Sequence, residues 1–375
     1  MKFFIINNDY GDFIKKEYKN NKGLIKKSFD EQLQHRYDTL FGLSNFYSKN
    51  LTKLGHQAID IIANHNYIQK QWAKENGLQL SKINNLLSSL PILRRFFKAN
   101  WLEDVLHAQI LKYKPDVIYS MGMEEITSNF LNKIKKEIKV FIVGQHAAPI
   151  NDSMKDLSAY DLIFSSLPNH VEFFKSKGKK SEYLQLAFEK TIQEKLLQCT
   201  EKEYDVVYIG GFGEAHSQRN KLLEFLAKQN EFKIDFWGYG ANKLSKDSPI
   251  LNKFHGFTGG LDMYNILNKS KICINGHINI SGDFANNMRL YESTGVGTLL
   301  ITDSKKNIGD IFEVNKEIIT YSDEFDLKEK ILYFLREESE RQSIANNGKE
   351  RVLKEHTYFN RMEQMLEIIN KYLKQ

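Results

Sequence analysis

Cysteine is nearly absent from this chain of 375 residues. The two present, Cys199 and Cys273, are too far apart for a metal-ligand or redox spacing and read as reduced thiols, which fits a cytoplasmic location. Proline is scarce at five, and no low-complexity tract occurs, so a disordered tail is not expected. No apolar run approaches the ~20 residues of a bilayer-spanning helix. The opening "MKFFIINND" reads as a short first strand, without a basic region leading into a signal-length apolar core. Charge of one sign is lacking too. Lys and Arg number 53 against 47 Asp and Glu, and the net +6 is interspersed, so no nucleic-acid partner is expected. Finally, the chain holds no Asp-x-Asp pair, the carboxylate spacing that would clamp a divalent ion against a diphosphate. No metal and no cofactor are expected.

What remains is a globular composition. Hydrophobic residues make up 41%, with 25 Phe and 18 Tyr, and the length exceeds one ordinary core, which suggests two domains. Short β-branched or aromatic runs at 3–7, 57–63, 116–120, 138–146 and 160–166 read as strands, with an amphipathic helical stretch over 29–54. A polar, helix-prone bridge at 189–205 resets the pattern. Strands follow at 205–213, 233–238, 271–276, 298–303 and 317–322, then a helical tail whose last helix spans about 357–373. Strand and helix alternate throughout, the pattern of parallel sheets covered by helices. The fold class expected is α/β, with two Rossmann-like domains facing across a cleft: 1–198 together with the C-terminal helix 357–375, and 203–356. Ligands in such sheets sit beyond the carboxyl ends of the strands.

Two segments carry candidate chemistry. In "VVYIGGFGEAHSQRNKLLEFL" a buried strand ends in Gly210-Gly211-Phe212-Gly213, and Arg219 follows near a helix start. Glycines let a phosphate approach the backbone, a helix N-terminus favours an anion, and Arg219 can add a charge-assisted contact. The acid of the full dinucleotide fingerprint is not placed on the next strand, so a tight turn with a solvent-facing Arg219 stands beside this reading. The second segment is "ANNMRLYESTGVGTLLITD", 285–303. A helix starting near Asn286 would present its first-turn amides to a diphosphate, with Asn287 and Arg289 beside them and Glu292 free to accept from a vicinal diol such as a ribose. Arg289 and Glu292 are also i,i+3 neighbours, and a surface ion pair would use the same spacing.

The stretches "KFHGFTGGLDMYNILNKSKICIN" and "NNMRLYESTGVGTLLITD" resemble the donor-sugar half of GT-B glycosyltransferases of group 1, closest to the spore-maturation-protein-like branch. The pattern is a Met-Tyr helix (Met263-Tyr264), a strand ending in Asn (Ile272–Asn275), an Asn-x-Arg-x-x-Glu helix (Asn287, Arg289, Glu292) and a glycine, Gly295, before the next strand. "HTYFNRMEQML", 356–366, is similar to the family's closing segment, where a final helix crosses back to the first domain. The resemblance spans about 205–370; over the first 200 residues it is one of architecture alone.

The resemblance implies a nucleotide-sugar donor as co-substrate. It implies that Glu292 binds the ribose, that Asn287, Arg289, Gly211 and Arg219 hold the diphosphate, and that His255 and Tyr264 lie near the base. The wider superfamily carries a first carboxylate eight positions before its ribose-binding Glu. Here that position is Phe284, and Asp283 is the nearest acid, one step out of register. His146, at the end of "VFIVGQH", corresponds to a histidine that faces the transferred sugar in related enzymes; a histidine satisfied by backbone at a strand end is the plainer reading. Gly11, after the first strand, can let backbone approach donor phosphates, or can serve a plain turn. With no nucleophile in view, a retaining, metal-independent transfer is expected, in which the departing phosphate deprotonates the acceptor.

The expected acceptor is a saccharide, a lipid-linked saccharide or a protein glycan, in surface-polysaccharide biosynthesis. Basic-aromatic stretches at 90–102 and 22–29 raise a peripheral contact with the inner membrane face, although a packed helix with a cationic edge explains them as well. A nucleotide-sugar epimerase or hydrolase of the same architecture, or a non-catalytic sugar-nucleotide-binding or glycan-binding partner, are the rivals. No residue pattern names the base, the sugar, the acceptor or the oligomeric state.

Overall fold

Runs such as Phe3-Phe4-Ile5-Ile6 are apolar on both faces, and a strand of that kind must be covered by helices on both sides. A computed structural model of the chain describes residues 1–80, 101–151, 156–199, 201–213, 216–278 and 282–374. The first sheet comprises β1 (Lys2–Asn7), β2 (Gln57–Ile62), β3 (Val117–Ser120), β4 (Phe141–Gln145), β5 (Leu162–Ser165) and β6 (Ser181–Tyr183), in the order β2-β1-β3-β4-β5-β6. The second comprises β7 (Tyr204–Gly211), β8 (Ile234–Tyr239), β9 (Ser270–Ile274), β10 (Leu299–Asp303) and β11 (Ile319–Tyr321), in the order β11-β10-β9-β7-β8. Every pairing between these strands is parallel. In each sheet the strand order reverses once, between β1 and β3 and between β7 and β9, which is where a doubly wound sheet opens a crevice for ligand.

The chain divides into two compact units, 1–165 with 169–183 and 366–375, and 166–168 with 184–365. The last helix, Tyr358–Leu373, therefore begins in the second unit and ends in the first, where Tyr372 donates to Glu182 at 2.6 Å. Each unit has its own core. Phe4, Ile6, Leu33, Val105, Ile118 and Ile142 are buried together in the first, and Val206, Phe236, Ile272, Leu299, Ile331 and Ile344 in the second.

Local structure departs from the sequence-based expectation in three places. The stretch 29–54 is two helices, Phe29–Asp38 and Phe46–Lys53, because Leu40, Gly42 and Ser44 all take positive φ between them. Arg36 fastens that turn, donating to the Phe41 carbonyl at 3.0 Å and gripping Asp9 through Nε and NH2. Among its described residues the bridge 189–205 is helical only over Ile192–Lys195, and β7 begins at Tyr204. The helix expected from Asn286 begins at Arg289. Ala285 is held out of helical pairing by Asn307, which accepts from its N–H at 2.6 Å and donates to its carbonyl at 3.2 Å.

Gly238 and Gly295 are among the glycines required by close packing. A Cβ on Gly238, whose φ is +140°, would fall on the carbonyl oxygen of Gly210 in the adjacent strand. One on Gly295 would meet the Phe188 ring at 2.6 Å. Among the described residues no helix is long and apolar enough to cross a membrane. Most of the 90–102 stretch lies outside the described residues; Trp101, at its end, is buried in the first core. In 22–29, Leu24 and Phe29 are buried and Ile25 is exposed.

Candidate functional site

The crevice of the second sheet is bounded by the end of β7 at Gly211 and by Asn275, Gly276 and His277 after β9. A single guanidinium spans it. Arg219, in the first turn of the helix Ser217–Ala227, donates to the Gly211 carbonyl at 2.8 Å and to the Gly276 carbonyl at 2.7 Å, with its Cζ 5.3 Å from the centre of the Tyr208 ring. The arms expected to meet phosphate thus hold two strand ends together, while the positive charge stays at the crevice. Its Nε has no hydrogen-bond partner among the described residues.

Beside it lies a cavity of about 190 Å³ lined by His216, Arg219, Gly276, His277, Asp303 and Tyr321, among others. Asp303, at the end of β10, accepts from the His277 backbone at 3.0 Å and faces its Nδ1 at 2.7 Å. Thr302 and Lys305 lie against the same carboxylate, at 3.2 and 3.4 Å. Burial pushes the Asp303 carboxyl up, but its bonds to His277 and the Lys305 charge outweigh that and hold it below the usual range. Burial, with Arg219 alongside, pushes His216 down to about 4, so this ring is neutral at pH 7.

One strand further in, Arg289 and Glu292 occupy the first turn of the helix Arg289–Val296. Arg289 NH1 lies 3.2 Å from Glu292 Oε2, and NH2 donates to the Ile209 carbonyl at 3.2 Å. The NH1 contact is close enough for an ion pair but not aligned as a hydrogen bond. Tyr264 reaches Glu292 Oε1 at 3.5 Å. Burial raises the Glu292 carboxyl above its usual range, an effect that Arg289 and Tyr264 oppose. These side chains are only 13% and 10% exposed, so the pair is not a solvated surface bridge. Asn287 exchanges amide hydrogen bonds with Asn275, at 2.8 and 3.3 Å, and its Oδ1 also accepts from the Leu290 N–H at 3.3 Å. Asn275 continues to Thr302 at 3.0 Å, and Tyr321 donates to its carbonyl at 3.1 Å. A continuous polar seam therefore runs from the Arg289 helix to Asp303.

Residues 218–367, which contain this seam, match the family model described as glycosyl transferase-like. The chain has the GT-B fold, and this part of it is similar to the glycosyl transferase-like family. No curated protein matches its sequence. Among solved structures it is similar to Anabaena HepE in complex with UDP-glucose, at TM-score 0.61 and 10% identity over 99% of this chain and 100% of that one. It is similar to a sucrose-phosphate synthase from Thermosynechococcus elongatus, at 0.57 and 10% over 100% and 99%. It is also similar to an enzyme from Listeria monocytogenes described as a UDP-N-acetylglucosamine 2-epimerase, at 0.51 and 11% over 100% and 96%. At these identities the likeness is one of fold.

The remaining residues singled out in the sequence are spread more widely. His255 is half-exposed, pairs with Asp235 at 2.6 Å and stacks on Trp237 with centroids 4.6 Å apart. Asp283 is largely exposed and pairs with Lys306 at 2.5 Å, which holds its carboxyl below the usual range. Gly11 opens the helix Gly11–Asn20, and a Cβ there would meet nothing within 4 Å. His146 follows β4 and is buried; its ring stacks on His170 with centroids 5.8 Å apart, and burial lowers its pKa, so it is neutral at pH 7. Its Nε2 has no hydrogen-bond partner among the described residues.

His216, His277 and Asp303 were missed by the sequence reading, which named Asn275 only as the end of a strand. The available signal was polar side chains set where β9 and β10 end, the edge at which such sheets bind ligand. Among the described residues no group of three or more His, Cys, Asp or Glu could hold a metal ion.

Proposed function

We propose that this chain is a glycosyltransferase, which moves a sugar from a nucleotide-sugar donor to a saccharide, lipid-linked or protein-glycan acceptor, with retention and without a metal, in the cytoplasm. The observation that carries this reading is the enclosed Arg289–Glu292–Tyr264 group. It sits beside the crevice of the second sheet, within the stretch that matches the glycosyl transferase-like family. The similarity to a protein solved with UDP-glucose supports a nucleotide-sugar donor.

In this reading the second unit binds the donor and the first the acceptor. Arg289 and Arg219 supply positive charge to the diphosphate, Asn287 adds an amide donor, and Glu292 exchanges its tyrosine contact for a ribose hydroxyl. His255, on Trp237, lies toward the base. Neutral His146 offers a hydrogen bond to the transferred sugar. Asp283, paired with Lys306, is the weakest member of the set. Charge stabilisation of the leaving diphosphate then does the work a metal does elsewhere, and the departing oxygen takes the acceptor proton. The place in surface-glycan synthesis and the finer kinship to the spore-maturation-protein-like branch belong to the same proposal.

The likeness to an epimerase gives the second reading its one support, because the two activities share a fold. A thermal-shift screen of nucleoside diphosphates, followed by incubation with the matching nucleotide sugars, separates them. Transfer releases nucleoside diphosphate in step with acceptor. An epimer formed without acceptor favours the rival, and binding with no turnover on any acceptor favours a non-catalytic partner.

A further inference from the structure

The last residue of β8 is an aromatic ring outside the second core. Phe236 and Trp237, just before it, are buried, whereas Tyr239 is 54% exposed. An exposed tyrosine alone means little. The setting of this one is particular. Tyr239 pairs in register with Gly211, the last residue of β7, so the two lie side by side at the carboxyl edge and their side-chain directions share a face. Gly211 has no side chain, and the ring takes up that place: a Cβ there would meet Tyr239 Cε2 and Cζ at 2.9 Å, and His216 Nε2 at 2.6 Å. The Tyr239 ring therefore lies across Gly211 instead of standing out from the edge strand.

Gly211 is also where Arg219 is anchored, through its carbonyl at 2.8 Å. One glycine thus separates the guanidinium charge at the crevice from the ring of a phenol. A positive charge beside an aromatic face matches a nucleotide, whose base is joined to its phosphates through a single ribose. The phosphates and the ribose are polar and have Arg219, Arg289 and Glu292 in the donor reading; the base alone brings a wide apolar face. Two residues back on β8, Trp237 carries the ring of His255, the histidine read above as lying toward the base. Gly238, between Trp237 and Tyr239, packs its Cα against the backbone of Gly210, so backbone packing fixes the strand end from which the ring projects.

We propose that Tyr239 is a further donor-binding residue: its exposed face is the platform on which the nucleobase of the donor stacks. Every base has a π face, so such a platform contributes affinity with little choice among bases. The ring does this and the hydroxyl does not. The inference rests on the donor reading above and deepens it by naming the group that holds the base.

Calorimetric titration of the intact chain with inorganic pyrophosphate, UDP, ADP and GDP tests the platform. Tyr239→Ala is expected to weaken every nucleoside diphosphate that the wild type binds by about tenfold or more, and to leave pyrophosphate within about twofold. Tyr239→Phe, which keeps the ring, is expected to match the wild type. Tyr239→Leu, which keeps apolar bulk without a π face, is expected to follow the alanine variant. None of these probes carries a transferred sugar, so the loss reports the base. Three results overturn the platform while leaving the donor reading standing: nucleoside diphosphate affinity unchanged in Tyr239→Ala, a loss in Tyr239→Phe equal to that in Tyr239→Ala, or an equal loss of pyrophosphate. No binding of any nucleoside diphosphate by the wild type sinks both.

Discussion

Arg289 and Glu292 lie one helical turn apart in the interior of the second unit, 3.2 Å between NH1 and Oε2. Removing the cation alone leaves a carboxylate enclosed with only the long Tyr264 contact among the described residues. Arg289→Ala is therefore expected to destabilise the fold by on the order of 3 kcal/mol, as well as to lose nucleoside diphosphate binding. The double change Arg289→Met with Glu292→Leu, which removes both charges, is expected to recover most of that stability but none of the binding. Urea unfolding read beside the thermal-shift response separates the two effects. A double variant that still responds to nucleoside diphosphate would contradict the site assignment.

Glu17, in the first unit, has its carboxyl pushed up to about 7, first by burial and then by Asp9, against the pull of Arg36. The folded chain then holds this proton between about 4.5 and 7, where the unfolded chain has released it. By linkage the contribution is full at low pH and is lost as pH rises through that window. Relative to Glu17→Gln, the wild type is expected to lose about 2–3 kcal/mol from pH 4.5 to 7. Paired urea midpoints at half-unit pH steps check it, and a constant difference would refute the enclosed-carboxyl account.

Gly238 and Gly295 are expected to respond differently. Gly238→Ala drives a methyl group onto backbone in an adjacent strand, where nothing can give way. Gly295→Ala meets a ring, so Phe188→Leu should relieve part of its cost, roughly 1 kcal/mol of a 1–3 kcal/mol penalty. A double-mutant cycle with no coupling between 188 and 295 would be the contrary outcome.

Turnover of the matching nucleotide sugar is expected to be unchanged by a strong chelator. A loss of activity restored by a divalent ion would mean that the charges of Arg219 and Arg289 do not suffice for the leaving group.

Much of the fold was written in the chain because parallel strands covered on both faces must be runs of large apolar residues, and all ten expected strands are present. The short edge strand Ser181–Tyr183, only partly buried, carries no such run. Helix ends were less legible. That Ala285 stays outside the helix depends on Asn307, 22 positions later, and no local pattern contains that partner. The same holds for the site. Asn287, Arg289 and Glu292 form a readable spacing on one helix, whereas His277 and Asp303 stand 26 residues apart and become a pair only when β9 and β10 align.

Asn275 and Asn287 each give one amide hydrogen to the other's oxygen. A reciprocal clasp of that kind has no tolerance for slow hydrolysis: deamidation at either residue would set oxygen against oxygen in the middle of the seam. Either change would part the end of β9 from the segment that leads into the Arg289 helix, and with it the amide-to-amide link between them.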